Sequence, residues 1–153
     1  MGNKTLIYKE KLKKALNESE THLIRLKEAF GYLDDMPLDK ERFEEILKDN
    51  IKLAFCDQII YRFSKLQDTM GAKLFKSLML YMGESVNRPF LDILYDLEKM
   101  GYIRVDDWYE FRDIRNELSH NYEDSEENYK IINYIYENLE NFEKILFKIK
   151  ENL

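Results

Sequence analysis

One cysteine among 153 residues rules out an internal disulfide framework and fits a reducing compartment. With only two prolines and five glycines the chain has few turn signals, which argues against a hairpin-rich β architecture. Long apolar runs are missing as well. Nowhere do about 18 apolar residues follow one another, so no membrane-spanning helix is expected. The first residues, Met1 to Thr5, lead straight into charge without the apolar stretch of a signal peptide, and a cytoplasmic location is expected. Positive charge is not in excess either. Lys and Arg number 24 against 30 Asp and Glu, a net charge of -6, which disfavours a general nucleic-acid coat protein but leaves room for a local basic patch.

What is present reads as helix. Hydrophobic residues make up 44% of the chain, enough for one domain with a proper core. Leu12, Leu16, Leu23, Leu26, Phe30 and Leu33 recur at helical spacing and predict a first helix from Thr5 to about Leu33, with a loop from Gly31 to Leu38. Lys9, Lys11, Lys13 and Lys14 in its early turns read as a solvated face, with a strip guiding RNA phosphates as the functional alternative. His22 reads as an ordinary surface histidine. Asp39 is the expected cap of a long second helix, whose stripe runs through Phe43, Ile46, Ile51, Ala54, Ile59, Phe63 and Met70. Cys56 falls in that stripe and reads as a buried, inert thiol. Asp57, Gln58 and Arg62 are the polar positions on this helix able to reach across a bundle.

Thr69-Met70-Gly71 predicts a kink or short break, and Leu74, Phe75, Leu78, Met79 and Met82 continue the apolar face. A short helix follows from Pro89 to Gly101, with Phe90, Ile93, Leu94 and Leu97 buried. Asp106-Asp107 opens the next helix with carboxylates at the positive end of its dipole. Ser125-Glu126-Glu127 reads as the cap and first turn of a final helix, striped by Ile132, Ile135, Leu139, Phe142, Leu146 and Ile149. The whole chain, 1–153, is therefore expected to be one all-α domain, an antiparallel up-and-down bundle of about five to six helices.

The stretch that carries chemistry is Phe111 to Tyr122. Trp108, Phe111, Ile114 and Leu118 form an apolar face, and Arg112, Asn116 and His120 follow at i, i+4 spacing on another. Arg115 and Ser119 lie at the edge between them. Arginine supplies a planar fork of donors suited to phosphate. Histidine both takes and gives a proton near neutral pH.

Arg115-Asn116, three residues, His120, one residue, Tyr122 resembles the RNxxxHxY form of the motif of HEPN-domain ribonucleases. Within that superfamily it is most similar to HepT-like toxins, which pair with a minimal nucleotidyltransferase (MNT) antitoxin. The resemblance implies a HEPN-like bundle and a metal-independent endoribonuclease needing no cofactor. His120 would transfer protons, Arg115 would hold the phosphate, and Asn116 would orient one of them. In an ideal helix Arg115 and His120 stand about 140° apart. Either the helix breaks near Ser119 or a second chain completes the site, and the resemblance implies a homodimer with a shared cleft. It also implies that the MNT partner silences the enzyme by attaching AMP to Tyr122. No Gly-Ser with paired aspartates occurs here, so that transferase would be a different chain. The competing reading is a non-catalytic HEPN-type subunit that binds nucleotide or substrate for a nucleotidyltransferase.

Overall fold

A computed structural model describes residues 2–33, 36–118 and 127–153. All regular structure in them is helical: α1 (Gly2–Leu33), α2 (Lys40–Leu47), α3 (Asn50–Thr69), α4 (Phe75–Tyr81), α5 (Phe90–Lys99), α6 (Val105–Leu118), α7 (Tyr129–Glu137) and α8 (Leu139–Lys150). A π-helical turn, Met70–Leu74, joins α3 to α4 without a break, and Asn138 alone separates α7 from α8. The described residues thus form six rods, and their buried side chains make one continuous apolar cluster.

Side-chain contacts fix the directions of the rods. Tyr32 of α1 stacks on Phe55 near the start of α3, and Glu18 meets Lys73 beyond its end. Lys27 and Glu20 of α1 meet Glu143 and Lys150 of α8 in reverse order. Arg115 and Trp108 of α6 meet Asp68 and Phe75 in reverse order too. α1 and α6 therefore run one way and the α3–α4 and α7–α8 rods the other, which is an up-and-down bundle. α2 and α5 are short connecting helices.

Local chemistry explains most boundaries. Asp39 caps α2 by accepting from Arg42 N at 2.8 Å. α5 ends in a Schellman turn: Gly101 takes φ +81°, its N–H donates to Glu98 O, and Tyr102 N–H donates to Leu97 O. Gly83, at φ +84°, ends α4 by the same pair of bonds to Leu80 and Met79. The Val105 N–H that opens α6 is satisfied by Glu98 Oε2 at 2.7 Å.

Expectations about three of the elements need correction. Gly31 lies inside α1, because burying Leu33 requires the helix to continue past it; one interior glycine costs only about 1 kcal/mol. The long second helix is two. Asp49 Oδ1 accepts from Ile51 N and Lys52 N, starts α3 afresh and shifts its phase, so Ile51 is 73% exposed and Ala54 is exposed as well. The expected kink or short break at Met70 takes the form of a π turn, with no break in the rod. The final helix divides at Asn138, whose Nδ2 donates to Tyr134 O at 2.9 Å. Ser125 and Glu126, the expected cap, lie outside the described residues. Met82 is exposed rather than buried, whereas Met70 and Met79 do fill the core.

Candidate functional site

α6 is held in rotation by its aromatic side. Trp108 meets Phe75 edge-on at 4.9 Å between ring centroids, and Phe111 meets Phe142 at 4.7 Å. Trp108 also lies over Gly71 of the π turn. A Cβ on that glycine would come within 3.1 Å of the indole, so Gly71 lets the two rods approach. With Val105, Trp108, Phe111 and Leu118 buried and Ile114 partly so, Arg112, Asp113, Asn116 and Glu117 are turned to solvent.

Arg115 stands where the alternation predicts, at the edge of the buried stripe. Its side chain is 37% exposed, and Nη2 donates to Asp68 Oδ2 at 2.9 Å. Nε faces inward and finds no acceptor among the described residues. The guanidinium is thus anchored on one side by a half-exposed carboxylate while it still reaches the surface. Such a pair is worth about 0.2–1 kcal/mol, little enough for an arriving phosphate to compete with it. His120, Tyr122 and Ser119 lie outside the described residues.

Asp68 is a site residue that the sequence did not single out. It precedes Arg115 by 47 positions, and no local pattern joins them. Of the three polar side chains of α3 expected to reach across, Arg62 turns the other way. Its Nη1 lies 3.0 Å from His22 Nδ1 on α1. Gln58 faces Arg25 and Tyr32 of α1 in a shallow groove, and Asp57 is exposed. His22 is accordingly a half-buried cross-helix partner rather than a plain surface histidine. Burial and then the Arg62 charge hold its pKa below the ordinary 6.5, so near neutral pH the ring is uncharged and Nδ1 accepts from Arg62.

Cys56 is fully buried, and burial with the nearby Asp57 charge pushes its thiol up to about 12, far from a nucleophile's range. Among the described residues no three His, Cys, Asp or Glu side chains converge as a metal-binding group. A hollow of about 490 Å³ opens at the corner of α5, α6 and α8, over Trp108, Phe111 and Ile145 and beneath Arg104, Lys144 and Lys148. It lies at the start of α6, roughly 12 Å along the axis from Arg115. Its polar groups are partly committed: Lys148 Nζ donates to Gly101 O, and Glu98 caps α6. Among the described residues no helix is long and apolar enough to cross a membrane.

Compared with protein-family models, with curated proteins and with solved structures, the chain finds no significant match.

Proposed function

We propose that this chain is a metal-independent endoribonuclease, the toxin of a HEPN/MNT-type pair. The observation that carries the reading is the sequence pattern Arg115-Asn116-x-x-x-His120-x-Tyr122, whose Arg115, on α6, is half exposed at the bundle surface. His120 takes the proton of an RNA 2′-hydroxyl. The freed oxygen attacks the adjacent phosphorus, the bond to the 5′-oxygen breaks, and that oxygen leaves with a proton returned by a second acid. A 2′,3′-cyclic phosphate and a 5′-hydroxyl result, so no external co-reactant is consumed. Arg115 neutralises charge on the non-bridging oxygens, and Asn116 orients its neighbours. A second copy supplies the second histidine and arginine, which makes the active species a homodimer. AMP attached to Tyr122 by an MNT-type partner fills the cleft with bulk and negative charge and silences the enzyme.

The alternative reading, a subunit that binds nucleotide or RNA without cleaving it, draws on the Arg115–Asp68 ion pair, since a paired arginine is also a structural arginine. RNA cleavage in the presence of chelator, by the wild type and by His120→Ala, separates the two. Cleavage that survives chelation and is abolished by the substitution supports the ribonuclease. Nucleotide binding without cleavage by a dimer unmodified at Tyr122 supports the binding subunit. Full activity in a strictly monomeric species would overturn the composite site.

A further inference from the structure

The surface between α1 and α4 has the opposite sign to the molecule as a whole. A first shallow hollow of about 350 Å³ lies there, and a second of about 500 Å³, lined by α1 alone, adjoins it and shares Lys14 and Glu18. Their linings carry Lys11, Lys13, Lys14, Lys73 and Lys76 against Glu10 and Glu18, although the chain carries a net charge of -6. Glu18 is itself engaged by Lys73 at 3.1 Å. Lys11 and Lys14 are i, i+3 neighbours, as are Lys73 and Lys76, so each pair stands on one face with Cβ atoms about 5–6 Å apart. Ala15 and Ala72 also line the first hollow, and their short side chains leave room for a strand to settle between the rods. The second hollow reaches His22, whose proton affinity is lowered first by burial and then by Arg62, Lys65 and Lys73, with Glu18 acting against them. Tyr61, next to Arg62 in the sequence of α3, is 51% exposed, with Arg62 and Lys65 within 5.4 and 5.7 Å of its ring centre.

We infer that this strip is a docking track for single-stranded RNA: the lysines of α1, the π turn and α4 hold the phosphate backbone and Tyr61 of α3 stacks a base. The identity of the polyanion rests on the ribonuclease reading above. Flexible lysines hold phosphates as point charges without reading sequence. An aromatic side chain interleaved with cations is the feature that favours a strand of bases over an anionic membrane.

The test is fluorescence anisotropy with a labelled oligouridine of about 20 nucleotides, titrated with salt from about 50 to 200 mM. Four lysines on four phosphates give a slope of log affinity against log salt of roughly -3. Replacing Lys11, Lys14, Lys73 and Lys76 by Gln should flatten that slope and weaken binding tenfold or more. Glu18→Gln should tighten binding, which a misfolded variant would not do. Tyr61→Ala should weaken binding about fivefold with the slope unchanged. Cleavage of a labelled dinucleotide, too short to span the strip, should be the same in the lysine variant and the wild type. RNA binding by the lysine variant that equals wild type overturns the track and leaves the ribonuclease reading standing. Lysine-dependent binding without cleavage of either substrate keeps the track and removes the ribonuclease. Lysine-dependent binding to phosphatidylserine vesicles with none to RNA overturns the track in favour of a membrane surface.

Discussion

Arg115 and Asp68 show how a single pair tunes the candidate site. The carboxylate positions the guanidinium and also competes with any phosphate for it. Asp68→Asn keeps the shape and removes the competing charge. We expect it to tighten RNA binding by up to about fivefold, the equivalent of a pair worth at most about 1 kcal/mol, and to leave thermal stability nearly unchanged. Looser binding would mean that Asp68 acts chiefly to hold the arginine in place. His22 makes a different prediction. Its folded pKa lies below 6.5 because burial and Arg62 oppose the charge, with Lys65 and Lys73 adding to them and Glu18 acting against. The folded state therefore binds this proton less readily than the unfolded state. The stability it contributes is present above pH 6.5 and is lost as pH falls from there through the folded value. Between about pH 7.5 and 5 the melting temperature of the wild type should fall more steeply than that of His22→Gln, which cannot take up the proton. Parallel curves would remove His22 as the source.

Among the elements, the joints decide more than the rods. The loop after α1 is tied to α7 by one amide: Asn133 Nδ2 donates to Leu38 O at 2.7 Å, and Leu38 N–H donates to Asn133 Oδ1 at 2.7 Å. Replacing Asn133 with Leu leaves both backbone groups without that partner, at a cost of about 1–3 kcal/mol. For a chain of this size that lowers the melting temperature by about 2–4 °C per kcal/mol, measurable by calorimetry. An unchanged midpoint would mean that water satisfies Leu38 just as well. The long stripes were legible because helix periodicity repeats its signal every turn, and the caps at Asp39 and Gly101 were legible because their chemistry is local. The restart at Asp49 was missed. A short side chain turning back on its own backbone interrupts a helix without changing its hydrophobic period, which is why Ile51 looked buried and is not.

Taken whole, the bundle is joined through aromatic side chains from three rods. Phe142 of α8 meets Phe63 of α3 at 6.1 Å and Phe111 of α6 at 4.7 Å between ring centroids, all three nearly or fully buried. Phe142→Ala should cost about 3–5 kcal/mol and shift one cooperative unfolding transition. Two separated transitions would show instead that the α7–α8 rod unfolds by itself. The same aromatic contacts hold α6 in the rotation that brings Arg115 to the surface, so a partly stable variant of this kind should also bind RNA less well.

Hydrophobic spacing and composition alone determined that the chain is helical, which faces turn inward on α1, α5, α6 and α8, and that Arg115 sits at the edge of a buried stripe. These properties repeat along the chain or arise within a turn or two of it. Only the tertiary structure decided that Asp68 holds Arg115, that Arg62 serves His22 rather than the motif, and that lysines of α1 and α4 share one groove. Each of those pairings joins residues tens of positions apart, and their proximity follows from how antiparallel rods register against one another. That register is set by the summed packing of many side chains, and no stretch of sequence carries it locally.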